Sequence, residues 1–271
     1  MFSSIALGGG GVRGGLHIGA LAAIQQQRGN LVFPDGIYGC SIGSVVATAI
    51  AFGLQSDQIR DMFNTYMDLS KIIPELRLSH ITNLASQKGL FTMDAMEKTI
   101  IEAFQSHQID LTNKTLNDAP QKLYIFASNM TTQHPTVFKG NVRILDAIKC
   151  SSCLPFIFEP QVLYDHVYLD GGLMIDCLEM VVPKTCLVIH ISELGNPITP
   201  SHIQDLSVPS FMYQIYRGMR RKPKRENILW LRDETISILQ QLTDQDKQHL
   251  YDQGYLQATA FLTKTFPKEL H

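Results

Sequence analysis

The chain has 271 residues, 45% of them hydrophobic and 18% charged, with a formal net charge of −2. That length and apolar share suit one α/β domain with a sizeable core and exclude a disordered, collagen-like or coiled-coil chain. The near balance of 23 Lys plus Arg against 25 Asp plus Glu argues against a dedicated nucleic-acid binder. Five cysteines, an odd and modest number, suit a reducing compartment better than a disulfide scaffold. The most apolar stretch, residues 45–54, falls well short of the roughly 20 residues that a spanning helix needs. The opening MFSSIALGGG lacks the basic and apolar regions of a secretory signal. The expectation is an intracellular protein, cytoplasmic or peripheral to a membrane.

In chain order, residues 4–7 predict a strand that runs into four glycines, Gly8 to Gly11. Residues 16–27 are apolar on nearly every side and predict a buried helix. Pro34-Asp35-Gly36 is a turn signal, and a strand over 37–40 follows. Ile42, Val45, Val46, Ala49 and Ile50 then carry the spacing of an amphipathic helix. Helical periodicity returns over 57–69 and 94–104, with Ser56 and Thr92 placed as N-caps. Between them, residues 70–89 have weak periodicity and read as a mobile lid. Strands are predicted at 123–127, 164–169, 185–191 and 227–231, and helices at 142–150 and 244–263. Strands alternating with helices predict an α/β fold with a mostly parallel sheet. No internal repeat or low-complexity linker divides the chain, so residues 1–271 are read as a single domain. Its motif-bearing core covers about 4–192, and a basic loop and closing helix occupy about 205–266.

The sharpest motif is Gly39-Cys40-Ser41-Ile42-Gly43, a G-x-S-x-G between a predicted strand and a predicted helix. A sharp strand-to-helix turn throws a serine hydroxyl out at the sheet edge, and Gly39 and Gly43 allow close backbone approach. The Ile42 amide, at a helix N-terminus, favours a developing oxyanion. The bland counterpart is a small-residue turn that packs a helix on a sheet. The second motif, Gly9-Gly10-Gly11-Val12-Arg13-Gly14, can form an anion-binding nest. It also satisfies G-x-G-x-x-G, the dinucleotide loop, with Asp35 near the place of a ribose-binding acid, although in its Pro-Asp-Gly setting Asp35 reads better as a turn former. No G-K-[ST] follows, which excludes a P-loop NTPase. Alone, this loop leaves an oxyanion hole and a nucleotide loop about equal. The tie is broken by Tyr168-Leu169-Asp170-Gly171-Gly172, a carboxylate at a predicted strand end followed by two glycines.

As an ordered set these motifs resemble the patatin-like phospholipases, which carry a glycine-rich oxyanion loop, a G-x-S-x-G nucleophile and an Asp-Gly-Gly or Asp-Gly-Ala acid. The likeness extends to Lys88-Gly89-Leu90-Phe91, to Ala127-Ser128-Asn129 with Thr136-Val137-Phe138, and to 146–155 continuing to Phe158-Glu159-Pro160. It extends also to the closing helix with Gly254 and Ala258. The resemblance implies a three-layer α/β/α sandwich with the serine elbow and the acid at strand C-terminal ends. It implies Ser41 as nucleophile, Asp170 as its base, Gly9, Gly10 and Gly11 as oxyanion donors and Arg13 as a basic loop position. Gly14, Gly39, Gly43, Gly171 and Gly172 support these motifs. The implied activity is ester hydrolysis in lipids, phospholipids first, without metal or cofactor; a transacylase or a non-catalytic lipid-binding module would use the same site, and a protein activator is an open partner class. The sequence departs from the family's frequent Asn-x-Pro after the acid, having Asp176-Cys177-Leu178.

Other readings are weaker. A triad histidine after the acid would have to be His190 or His202, and His190, in an apolar strand, reads as core. Cys150 and Cys153 form a lone C-x-x-C; Cys177 and Cys186 do not make the second pair that a structural zinc needs, so core packing is the better reading. Arg217, Arg220, Arg221, Lys222, Lys224 and Arg225 follow a stripe of Phe211, Met212, Ile215, Tyr216 and Met219. That pattern is either a docking element for anionic lipid or a solvated loop after a core helix, with the second favoured.

Overall fold

Alternation along the central strands sends successive side chains into two different cores, the period-2 pattern of a sheet covered on both faces. In β1 (Ser4–Leu7), Ile5 and Leu7 join the larger apolar cluster and Ala6 the smaller; in β2 (Gly36–Cys40), Ile37 joins the larger, and Tyr38 and Cys40 the smaller. The computed structural model describes residues 2–174, 178, 181–191, 200, 203, 211 and 227–266. Around β1 and β2 the larger cluster is covered by α1 (Gly15–Arg28), α2 (Ile42–Ala51) and α3 (Ser56–Tyr66); α4 (Leu69–Ile72), α5 (Leu78–Gln87) and a short strand, β3 (Gly89–Phe91), follow in the chain, with Ile72 and Phe91 in a third apolar cluster. Helix α6 (Asp94–Gln105) precedes β4 (Leu123–Asn129) and β5 (His134–Phe138). There follow α7 (Ile144–Ser152), β6 (Phe156–Phe158), β7 (Gln161–Leu163), β8 (His166–Leu169), β9 (Leu187–Ile191), β10 (Ile228–Leu231) and α8 (Asp244–Thr265).

The main sheet has the order β10-β9-β1-β2-β4-β8-β7, with β5 also paired to β4. Pairs among β10, β9, β1, β2 and β4 are parallel, while β5, β7 and β8 add antiparallel pairings at one side. The architecture is therefore α/β with a mostly parallel sheet and helices around it, as expected. On the opposite face the smaller cluster includes Leu178 and Val182. Helix α8 lies directly on α1: a Cβ on Gly19 would sit 1.9 Å from the Tyr251 carbonyl oxygen, and one on Gly254 would sit 2.1 Å from that of Leu16. No described helix is long and apolar enough to cross a membrane.

Several local expectations need correction. Ser56 is the first helical residue of α3; Gln55 is its cap, exchanging bonds with Gln58 in a capping box. Met93, not Thr92, precedes α6, and the Thr92 hydroxyl bonds to Asp94 instead. The stretch 70–89, read as a mobile lid from its weak periodicity, contains most of α4 and all of α5. Tyr164 and Asp165, predicted in a strand, form the positive-φ turn between β7 and β8. The strands β3, β5, β6 and β7 were not predicted as such. Asp35 is the turn residue expected: its N–H bonds to the Ser3 carbonyl, and its carboxylate accepts from the Ser3 hydroxyl. His202, Asp176, Cys177 and the whole basic segment 217–225 lie outside the described residues, as does its apolar stripe apart from Phe211.

Candidate active site

Ser41 is the single residue between β2 and α2, and reversing the chain in so short a span forces it to φ 53, ψ −129. A non-glycine residue there costs about 1–3 kcal/mol and persists only where the surroundings over-determine it. They do here. The Ser41 N–H donates to Ser151 Oγ at 2.8 Å, and its carbonyl accepts from the Ser44 N–H at 2.8 Å and the Ser44 hydroxyl at 2.6 Å. Both flanking glycines are sterically required. A Cβ on Gly39 would lie 2.5 Å from Ser44 Cα, and one on Gly43 2.3 Å from the Leu7 carbonyl oxygen.

Opposite the elbow stands the loop from β1. The Gly8 N–H donates to Ile189 O at 2.8 Å, Val12 N–H to Ile238 O at 3.1 Å and Arg13 N–H to Gly10 O at 3.2 Å. Among the described residues, no acceptor is bonded to the amides of Gly9, Gly10 or Gly11. Gly9 packs on the serine itself: a Cβ there would be 3.3 Å from Ser41 Cβ. Gly11, at φ +58, has Ile238 O only 2.3 Å from where a Cβ would stand, so the segment after β10 closes the loop from above. Arg13 is buried and makes long contacts of 3.5 Å to Gly10 O and Asp233 O, an orienting role. Gly14 abuts Ile42, where a Cβ would meet Cγ1 at 2.6 Å.

Asp170 reaches the site by a route the sequence did not reveal. Strand β8 is antiparallel to β4, with Leu169 opposite Ser128, while β2 is parallel to β4, with Cys40 opposite Phe126. Extending both registers by one residue brings Asp170 and Ser41 to the level of Ala127. The acid is thus at the C-terminal end of its own strand, as expected, but that strand runs against its neighbour. Gly171 packs on the elbow: a Cβ there would lie 2.6 Å from Phe126 O and 2.7 Å from Cys40 Sγ. Asp170 is buried at 4% exposure, its N–H bonds to Cys153 O, its carbonyl accepts from the Ser128 hydroxyl at 2.8 Å, and its Oδ1 accepts from Gly172 N–H at 2.7 Å. The carboxylate orientation is therefore set by backbone.

Ser41 lines a pocket between α2, α3, α4 and α6 that opens to solvent and spans about 950 Å³ with that open solvent counted in. Its walls include Val46, Met62, Phe63, Ile72 and Ile100; among the described residues the polar side chains besides Ser41 are those of Tyr66, Thr99 and Ser152, and none that lines it is charged. Ile238 and Leu239 complete the rim beside Gly11 and Val12. Such walls can hold a hydrocarbon chain at about 0.8 kcal/mol per buried CH₂.

The family model for patatin-like phospholipases matches residues 5–180. The chain belongs to this family. It is 30% identical over 177 residues to protein R571 of Acanthamoeba polyphaga mimivirus, covering 62% of this chain and 57% of that one. It is 29% identical over 192 residues to a cUMP-AMP-activated phospholipase of Escherichia coli and 26% over 197 to a cGAMP-activated phospholipase of Vibrio cholerae. These matches cover 62% and 63% of this chain and 53% of each relative. The chain thus spans slightly more than half the length of these relatives. In fold it is similar to VipD of Legionella pneumophila, with a TM-score of 0.54 and 13% identity over 97% of this chain and 67% of that one. Patatin-like phospholipases are hydrolases acting on lipid esters, and a serine–aspartate dyad with a glycine oxyanion loop is typical of their fold.

The remaining histidine and cysteine readings can be placed on the patatin-like frame. His190 is buried and stacks on Trp230 at 4.8 Å between ring centroids, a core position beside Gly8. Cys40, Cys150, Cys153 and Cys186 are buried, and burial pushes Cys150 up to about 12 and Cys153 well above its ordinary value. No described His, Cys, Asp and Glu side chains cluster as metal ligands would. Sequence reasoning missed Ser151, which holds the Ser41 amide, and His17, which bonds to Gly8. For His17 a signal existed: one imidazole in an otherwise apolar buried helix.

Proposed function

We propose that the chain, acting as one patatin-like unit over 1–271, hydrolyses acyl esters of lipids in the manner of a phospholipase A. One arrangement supports this above others: a serine held at positive φ on an apolar pocket, against a loop whose amides are unspent. The acyl chain would lie in the pocket with its ester carbonyl at Ser41. Asp170 takes the Ser41 proton as Oγ adds to the carbonyl carbon. Amides of Gly9, Gly10 and Gly11 receive the oxyanion. Collapse breaks the C–O bond, Asp170 returns the proton to the departing alcohol or lysophospholipid, and a serine ester remains. Water, deprotonated by the same carboxylate, then adds to that ester and releases the fatty acid.

A carboxylate is a weak base for a hydroxyl, so the burden falls on the oxyanion loop, where one donor is typically worth about 3–4 kcal/mol. The basic residues Arg217, Arg220, Arg221, Lys222, Lys224 and Arg225 are proposed to contact anionic headgroups. Two relatives are named for activation by cyclic nucleotides, which makes a small-molecule activator of this chain a reading to test. The experiment is fatty-acid release from mixed phosphatidylcholine and phosphatidylglycerol vesicles, with and without cyclic dinucleotides, by wild type, Ser41→Ala and Asp170→Asn. Release by wild type alone supports the proposal. Equal release by folded Ser41→Ala would refute it, and lipid binding without release under all conditions would favour a binding module.

A further inference from the structure

Helix α1 places a fully buried imidazole, His17, directly under the oxyanion loop, and the proposed chemistry gives it no part. Its Nε2 lies 2.8 Å from the Gly8 carbonyl oxygen. A carbonyl only accepts, so Nε2 carries the proton. Burial drives the ring pKa down to about 4, with His190 adding to the effect and the bond to Gly8 opposing it, so the ring is neutral and Nδ1 carries a lone pair. That Nδ1 is buried and, among the described residues, has no hydrogen-bond partner. A buried acceptor left in that state asks for an explanation beyond packing.

The Nε2–H bond to Gly8 acts through the peptide plane. The Gly8–Gly9 bond is trans, as all described peptide bonds are, so the Gly8 C=O and the Gly9 N–H point in opposite directions. A donor that fixes the carbonyl also fixes the amide, aiming it away from His17. Gly9 is the loop residue that packs on Ser41. On the other side of Gly8, its own N–H is fixed by Ile189 O at 2.8 Å. The same logic recurs at Gly10, whose carbonyl is held by the Arg13 N–H at 3.2 Å, leaving the Gly11 N–H directed oppositely.

We propose that His17 is a positioning residue for hydrolysis: by donating Nε2–H to the Gly8 carbonyl it locks the Gly8–Gly9 peptide with its N–H turned to the oxyanion. This rests on the esterase reading above. It differs from a merely structural role in one respect, namely that His17 and the reacting oxygen sit at the two ends of a single polarisable peptide. Charge arriving on the Gly9 N–H strengthens the acceptor that His17 holds.

Two measurements test it. In wild type, phosphonylating Ser41 with a fluorophosphonate should shift the His17 Nε2–H proton resonance, which requires no substitution; an unmoved resonance in fully phosphonylated protein would overturn the proposal. In variants assayed on p-nitrophenyl esters, His17→Met, which lacks a donor, should lose about 10- to 100-fold in kcat with KM changed by less than about threefold. His17→Gln, whose amide can reach the same carbonyl, should recover most of that loss. Wild-type kcat in folded His17→Met, or no rescue by folded His17→Gln, contradicts it. Wild type that neither turns over ester nor takes the fluorophosphonate would instead overturn the esterase reading, and this inference with it.

Discussion

Gly43→Ala should separate the elbow from the oxyanion loop. Gly43 is the second residue of α2, two positions after Ser41, and its pro-Cβ direction faces the last turn of backbone before the glycine loop. A methyl there would stand 2.3 Å from Leu7 O and 2.6 Å from Gly8 O. Real contacts of this kind begin near 3.0 Å, so β1 and α2 must part by about 0.7 Å or more. Both obstacles are backbone oxygens, one at the end of β1 and one in the residue after it, so no side-chain rotation can relieve them. The helix N-terminus carrying Ser41 moves away from Gly9, and a misplacement near 1 Å costs about 100-fold in rate. Overpacking of this size also costs about 1–3 kcal/mol of stability. The assay is kcat and KM on a short p-nitrophenyl ester, with thermal unfolding alongside. The expected result is a folded protein with kcat about 100-fold lower and little change in KM. A folded Gly43→Ala within threefold of wild-type kcat would refute the claim that elbow and loop are held in contact through this glycine.

Ile100→Trp fills the pocket between α2 and α6, so the preference for dodecanoyl over butanoyl p-nitrophenyl esters should fall about tenfold or more, each lost CH₂ contact being worth about 0.8 kcal/mol; an unchanged chain-length profile would count against the pocket. Asp233 accepts bonds from Ile236, Thr235 and His249, and although burial opposes it, these hold its carboxyl below the ordinary value. A depressed folded pKa lends stability that is complete above the unfolded value of about 3.9 and disappears as pH falls through the folded value. Urea midpoints of wild type and Asp233→Asn should therefore differ fully above about pH 4 and the gap should shrink as the pH is lowered further; a gap that never narrows across the acid limb would contradict this. The Cys150 and Cys153 thiols, raised by burial, should resist iodoacetamide at pH 8 in the folded protein and react after denaturation. Rapid labelling of the native protein would show the chain opens around α7.

What could be read in the sequence was what short-range chemistry dictates. Gly39, Ser41 and Gly43 are legible because the strand-to-helix turn is local, and β1, β2, α1 and α2 lie within a residue or two of where hydrophobic period and glycine punctuation put them. Strands β3, β6 and β7 have three residues each, too few to display a period; β3 and β6 exist through pairing with each other far along the chain, and β7 through its short hairpin with β8. The caps of α3 and α6 were misplaced because a side chain's reach, not its identity, decides which residue caps. Most consequential was β8. Its reversal against β4 is a tertiary choice invisible in 166–169, yet it is what brings Asp170 down to the level of Ser41. The pocket was equally hidden, since its lining runs from Gly11 and Ile18 near the start of the chain to Ile238 and Leu239 after β10, a span that no sequence window contains.

The central claim, that Ser41 is a nucleophile activated by Asp170, is tested most directly by fluorophosphonate labelling read by peptide mass spectrometry. Wild type should carry one adduct, on the peptide containing Ser41; Ser41→Ala should carry none, and folded Asp170→Asn should label at least about 100-fold more slowly. An adduct on another residue, or Asp170→Asn labelling at the wild-type rate, would contradict it.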